Sequence, residues 1–270
     1  MSTLRRLDAE LVRRHLATSR EHAAELIAQG LVTVNGTTAS KKHSQINESS
    51  SIVVSESIDK KWVSRGAHKL LGALELCEPQ GLSLRGKRVV DAGASTGGFT
   101  EVCLDREALS VLAIDVGYGQ LAWKLRTDDR VLVVERTNIR HVVVDDMPFK
   151  PDVIVSDLSF ISLTIVVEKF REMSHESTDW LLMVKPQFEV GKELIGDGVV
   201  RDPDLRGGAV EKVALSIQEL GVGIVAIAPS PLPGPEGNVE YFIWAKCGAP
   251  LVDSEHLNRL ILEAIEKGPQ

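Results

Sequence analysis

Apolar positions along the chain change period near residue 60. Before it, Leu7, Leu11, Val12 and Leu16 recur at helical spacing while Arg13 and Arg14 fall to the polar side, which predicts a short amphipathic helix. Thr18 and Glu21 have the spacing of a capping box, and Ala23, Ala24, Leu26 and Ile27 mark a second helix over roughly 20–29 that stops at Gly30. Residues 31–34 and 37–40 then read as two short strands about the turn Asn35-Gly36, a strong hairpin signal. A polar loop and one further strand complete a small α+β module over residues 1–59.

From residue 64 onward the pattern is one of continuous apolar runs. Those at 88–93, 111–116, 131–136, 152–158 and 180–185 are β-rich, and most are followed by helix-compatible sequence. Strands buried on both faces read this way, so an α/β domain with a mostly parallel sheet is expected over 64–270. Two last runs, 223–229 and 239–247, have only a Pro/Gly-rich loop between them and read as an antiparallel hairpin. The tail 254–268 is amphipathic and predicts a closing helix. Residues 60–63 are left as a linker.

Composition removes several classes. The amino terminus has no apolar h-region and no run approaches the length of a membrane helix, so a cytoplasmic protein is expected. Cys77, Cys103 and Cys247 have neither disulfide nor metal-ligand spacing and read as buried thiols. The net charge of −7 is unevenly spread: residues 1–69 hold 11 Lys+Arg against 7 Asp+Glu, and the rest hold 20 against 31. A basic head on an acidic body points to a polyanionic partner at one end.

Two sets of residues carry candidate chemistry. Asp91, Gly93, Gly97 and Gly98 sit in a turn between a strand and a helix, where glycines let backbone N–H groups approach a ligand. The spacing is that of neither a dinucleotide fingerprint nor a phosphate loop. Asp115, at the end of the next strand, is placed to accept two ribose hydroxyls, or alternatively to cap a helix. Asp157 and Lys185 end later strands, Glu240 enters the last one, and Lys69 begins the helix before the first. Open α/β sheets place ligands at these strand ends.

Residues 6–41 resemble an S4 domain, an RNA-binding module. The resemblance implies phosphate contacts by Arg5, Arg6, Arg13, Arg14, Arg20, Lys41 and Lys42, joined by Arg65 from the second domain. D-x-G-x-x-x-G-G-F at 91–99 resembles the S-adenosylmethionine motif of FtsJ-like ribose methyltransferases, a class I methyltransferase fold with a seven-stranded sheet. It implies a cofactor site of Asp91, Gly93, Ala94, Ser95, Gly97, Gly98, Phe99, Asp115, Val116 and Asp157. Lys69, Asp157, Lys185 and Glu240 match that family's Lys-Asp-Lys-Glu tetrad in order. S4 plus FtsJ-like is the arrangement of the TlyA (haemolysin A) family. That resemblance implies 2′-O-methylation of cytidine in 16S rRNA, and in some members 23S rRNA, in ribosomal subunits or 70S ribosomes, and a link to capreomycin susceptibility. No metal is implied. Lys60 stands where the family has an arginine before x-Trp-Val, which lysine cannot replace in bidentate contacts.

Chemically, a ribose hydroxyl is a poor nucleophile, so a lysine acting as base needs a second lysine and partial burial beside it. Lys185 is the expected base, with Lys69 orienting the hydroxyl or steadying the phosphate and Asp157 nearest the methyl. Other classes stay open: a membrane-lytic protein, for which no amphipathic or spanning segment is evident, and an RNA-binding assembly factor with a degenerate enzyme domain. Base methylation is disfavoured because 156–160 lacks prolines. The segment 191–208 reads as a long irregular loop that orders over substrate or is plain surface.

Overall fold

The computed structural model describes residues 4–14, 16–17, 19–28, 30–47, 50–54, 62–191, 198–234 and 236–268. It divides into two compact units, residues 1–61 and 62–270.

In the first unit, β1 (Arg5–Arg6) leads directly into α1 (Leu7–Arg13), and α2 (Arg20–Ala28) follows. β2 (Val32–Val34) is the centre of a three-stranded sheet, with β3 (Thr37–Thr38) on one side and, after β4 (Gln45–Ile46), β5 (Ile52–Val54) on the other. β4 pairs antiparallel with β1. Asn35 and Gly36 take φ of 50° and 80°, both left-handed, as a two-residue hairpin turn requires. Leu7, Leu11, Ala23, Ile27, Val32 and Ile46 close the core. α1 ends earlier than its apolar spacing suggests, because the N–H groups of Leu16 and Ala17 both turn back to the Leu11 carbonyl. Thr18 of the expected capping box lies outside the described residues; Ser19 Oγ accepts the His22 N–H at 3.1 Å and caps α2.

The second unit begins with Trp62 and Val63, and Lys60 and Lys61 lie outside the described residues. After α3 (Gly66–Cys77) come β6 (Arg88–Ala92), α4 (Gly98–Asp105), β7 (Ser110–Ile114), α5 (Trp123–Arg126) and β8 (Val131–Val134). Then follow β9 (Val153–Ser156), α6 (Val167–Met173), β10 (Asp179–Val184), α7 (Pro186–Glu189), α8 (Pro203–Glu219), β11 (Val222–Pro229), β12 (Tyr241–Cys247) and α9 (Ser254–Lys267). The seven strands run in the order β11-β12-β10-β9-β6-β7-β8. β6 to β10 are parallel, and β12 is inserted antiparallel between β10 and β11. All six residues of β10 are buried, as expected for a strand covered on both faces.

The helices cover both faces. Leu70, Leu74, Val102 and Leu125, from α3, α4 and α5, pack on one side with Phe242 and Trp244. Phe170, Val213, Ile217 and Ile261, from α6, α8 and α9, pack on the other with Tyr241 and Ile243. The crossover after β8 contains only short 3-10 turns at 139–141 and 144–146. One expectation changes. The segment 191–208 is not loop throughout: Asp202 accepts the Asp204 N–H and Pro203 opens α8, so 203–208 are already helical.

Residues 62–66 fasten α3 to α4. Trp62 and Val63 pack on the core, and the Val63 N–H donates to Glu101 Oε2 at 2.6 Å. Gly98, the first residue of α4, lies so close to α3 that a Cβ there would sit 2.9 Å from the Ala67 amide nitrogen and 2.3 Å from Ser64 Oγ. The serine can rotate away, but the backbone cannot. Gly98→Ala is therefore expected to lower the urea midpoint, with a loss of about 1–3 kcal/mol as for other overpacked sites. An unchanged midpoint would refute this account of the contact.

Candidate active site

The carboxyl ends of β6, β7, β9 and β10 and the start of β12 lie along one edge, since Ala92 pairs with Ser156 and Val184 with Tyr241. Four polar side chains gather there in two ion pairs. Lys69, four residues into α3, reaches Glu240 Oε2 at 2.5 Å, with side chains only 5% and 1% exposed. Lys185, directly after β10, lies 2.6 Å from Asp157 Oδ1 and donates to Ser159 Oγ at 2.7 Å. Despite that short approach Asp157 Oδ1 has no partner in hydrogen-bonding geometry, and neither has Glu240 Oε1. The start of α3 touches the second pair, because a Cβ on Gly66 would fall 3.9 Å from Asp157 Oδ2.

Two cavities meet at this cluster. One, of about 720 Å³, is lined by Gly93, Ser95, Asp115, Val116, Asn138 and Asp157 among others. The second, of about 770 Å³, is lined by Lys185, Glu240, Gln187, Phe188, Gly198 and Glu236 among others. Ser159, Phe160 and Ile161 line both. Lys185 and Glu240 thus face one cavity while Asp157, bound to Lys185, faces its neighbour. Lys69 lines neither and reaches the site through Glu240.

Five of the ten expected cofactor residues line the first cavity. Asp115 stands between two turns: its Oδ2 accepts the Ser95 N–H at 2.8 Å and its Oδ1 the Gly117 N–H at 2.6 Å. This holds Ser95 at a left-handed φ of 48°. Asp115 caps no helix, since α5 starts only at Trp123. Gly93, at φ 89°, lies against the Asp157 backbone, where a Cβ would sit only 2.8 Å from the carbonyl oxygen. The other five support the turn from behind. Gly97 and Gly98 form the start of α4, Ala94 is buried, and Phe99 stacks on Phe242 at 6.0 Å. Asp91 is wholly buried and accepts the Thr100 hydroxyl at 2.6 Å through Oδ2, leaving Oδ1 without a partner.

Gln120, Thr137, Asn138 and Arg140, with Ser159 and Phe160 of the segment 156–160, also line this cavity and are not among the candidate site residues read from the sequence. The only available signal was position after a strand. Phe160 is 91% exposed at φ 64°, with its ring 5.3 Å from that of Phe188. Glu189 ties this loop to α7: its carboxylate accepts the Leu163 N–H at 2.7 Å and the Ser162 hydroxyl at 2.5 Å. Arg65, at the start of α3, donates to the Pro233 carbonyl at 2.8 Å. The arginines of the first unit are surface residues tied to acids, and Lys41 and Lys42 are exposed. Among the described residues no cluster of His, Cys, Asp or Glu is arranged to hold a metal ion, and no helix is long and apolar enough to cross a membrane.

The profile of the FtsJ-like methyltransferases matches residues 62–247, and that of the S4 domain matches residues 5–52. The chain belongs to the FtsJ-like methyltransferase family. This methyltransferase is 48% identical over 271 residues to the 16S/23S rRNA (cytidine-2′-O)-methyltransferase TlyA of Mycobacterium tuberculosis, spanning 100% of both chains. It is 32% identical over 251 residues to the 23S rRNA (cytidine-2′-O)-methyltransferase TlyA of Campylobacter jejuni, covering 86% of this chain and 96% of that one. A solved structure from Streptococcus thermophilus, described as a candidate hemolysin, superposes with a TM-score of 0.75 at 32% identity, covering 99% of this chain and 98% of that one.

Burial pushes the Asp91 carboxyl of the methyltransferase up to about 7. The Thr100 hydrogen bond opposes the shift and the nearby charge of Asp157 adds to it. In the unfolded chain an aspartate ionises near pH 4. Stability is therefore lost as pH rises from about 4 to about 7 and stays lost above, an effect on the order of 4 kcal/mol. Asp91→Asn still accepts the Thr100 hydroxyl and should remove this loss. Urea midpoints at pH 5 and pH 8 are expected to differ less for the variant than for the wild type. Equal differences would contradict the assignment.

Proposed function

We propose that the chain transfers the methyl group of S-adenosylmethionine to the ribose 2′-oxygen of a cytidine in ribosomal RNA. The observation that carries this reading is the Lys185–Asp157 pair at the junction of two cavities, one on the glycine turn and one beneath Phe160. The cofactor supplies an electrophilic methyl group on sulfur when bound. Gly93, Ser95, Asp115, Val116, Asn138 and Asp157 are the residues that would hold it. The first cavity has the volume of a typical ligand site, and Asp91 Oδ1 stays without a partner behind its glycine turn. A carboxylate has about four lone-pair sites, so Asp115 can still accept hydroxyls after its two backbone bonds.

The second cavity takes the nucleoside. Phe160 offers an exposed ring on which an unstacked pyrimidine can lie. The neighbour of Lys185 is the Asp157 carboxylate and not Lys69, so Lys185 Nζ acts as base only after releasing its own proton to solvent: the free amine then takes the 2′-hydroxyl proton as the oxygen attacks, and Asp157 holds the ammonium that forms. Lys69 is a positioning residue that keeps the Glu240 carboxylate in place at the cavity wall. The first unit docks on RNA phosphates, and the protein acts in the cytoplasm, where ribosomes are substrate. The named relatives differ between 16S/23S and 23S specificity, so the acceptor is either or both.

Tritiated methyl transfer to purified 30S, 50S and 70S particles, with mapping of the modified nucleotide, tests the reaction. Label on a cytidine 2′-oxygen is expected; label on a base would overturn the reading. Lys185→Ala should lower kcat roughly 100- to 10,000-fold, with cofactor affinity by calorimetry unchanged. Lys185→Arg keeps the charge but cannot give up its proton, so it should be equally slow. An active arginine variant would show that Lys185 acts by charge and not as a base.

A further inference from the structure

Five arginines of the first unit converge on two carboxylates. β1 alternates its side chains, so Arg6 turns to Asp8 and Arg5 to Glu10. Asp8 accepts from Arg6 Nε at 3.1 Å and Nη2 at 2.8 Å, and from Arg20 Nη2 at 3.0 Å. Glu10 accepts from Arg13 Nε at 2.8 Å and Nη2 at 2.6 Å, and from Arg14 Nε at 2.7 Å. Arg5 Nη1 lies 3.6 Å from the same carboxylate. Arg14 is held from a second side, since its Nη1 donates to the Ser50 carbonyl at 2.8 Å.

The acids are buried, 3% and 1% exposed, in the first turn of a seven-residue helix. The arginine side chains they hold remain 23–54% exposed. The bonds from Arg6 and Arg13 hold the Asp8 and Glu10 carboxyls at about 2, so both clamps are fully charged at neutral pH.

We propose that Asp8 and Glu10 are positioning residues for RNA docking, which fix the guanidinium groups of Arg6, Arg13, Arg14 and Arg20, with Arg5 beside them, as a preformed array for the phosphates of a folded RNA. The inference rests on ribosomal RNA as the substrate. A guanidinium has five N–H donors, and the side-on pair of Arg6 with Asp8 uses two, so an arginine clamped in this way can still serve a phosphate. Flexible arginines lose side-chain freedom on binding; clamped ones have lost it on folding.

Charge counting and positioning predict opposite signs. Removing an acid makes the surface more positive, which by counterion release should tighten RNA binding and steepen its salt dependence. Positioning predicts weaker binding. For the full chain, Glu10→Gln is expected to raise KM for ribosomal particles about tenfold, the effect of one charged hydrogen bond, with kcat and cofactor affinity unchanged. In an Arg13→Ala/Arg14→Ala background the same change should add no loss, because its effect passes through those arginines. Thermal unfolding checks that the first unit is folded. Should Glu10→Gln unfold it, Asp8→Asn, which touches Arg6 and Arg20, carries the same expectation.

Unchanged or tighter binding by both acid variants, where the double arginine variant binds weakly, overturns the proposal alone. Full additivity of Glu10→Gln with the arginine changes does the same. If the double arginine variant binds ribosomal particles as well as wild type, the RNA-docking reading of this surface falls, and the proposal with it.

Discussion

An ammonium ion cannot be buried alone: moving it out of water costs several kcal/mol even after the protein relaxes. Lys69, nearly fully buried, therefore obliges a carboxylate to stand beside it, and the one present comes from the far end of the chain at Glu240. That pair binds the start of α3 to the entry of β12. β12 is in turn fixed by pairing with both β10 and β11, and its first residue lies opposite the last of β10. Lys185 follows that residue by one position, so the same constraint that places Glu240 also places Lys185. On the other side α3 is pressed on α4 through Gly98, and α4 continues the glycine turn. This chain of contacts fixes Glu240 and Lys185 in the wall of the second cavity and the glycine turn in that of the first.

The parts legible in the sequence are those where burial alone dictates residue type. β10 is apolar at five of six positions because both its faces are covered, and Lys185 stands out because it breaks such a run. Asp115 and Asp157 were visible for the same reason. The count of seven strands is implied by resemblance to a known family, and periodicity says nothing of their order. The start of α8 falls inside the segment that reads as an irregular loop, although Asp202-Pro203 is a sound cap signal. The loop residues of the site were hidden because their directions depend on backbone angles no pattern encodes. Phe99 and Phe160 illustrate the difference: the first stacks in the core, the second stands in solvent at a positive φ.

Burial also explains why half of the glycine motif lines no cavity. A turn that brings backbone close to a ligand must itself be held from behind, and Gly97, Gly98 and Phe99 do so by packing. Motif residues are thus of two kinds, those at the surface of the site and those that set its shape. Sequence spacing cannot separate the two, because both are needed for the same turn.

Charge raises the same difficulty in a different form. Counted along the sequence, Asp8 and Glu10 dilute the basic character of the first unit. In space they lie beneath the arginines, and a buried acid with two or three guanidinium partners does not repel an approaching phosphate as an exposed one would. The field at the surface comes from the exposed cations, while the acids beneath reduce their mutual repulsion and limit their motion. A net charge of −7 for the whole chain is therefore compatible with a strongly cationic docking face. What decides is which charges are buried and what they hold, and a residue count contains neither.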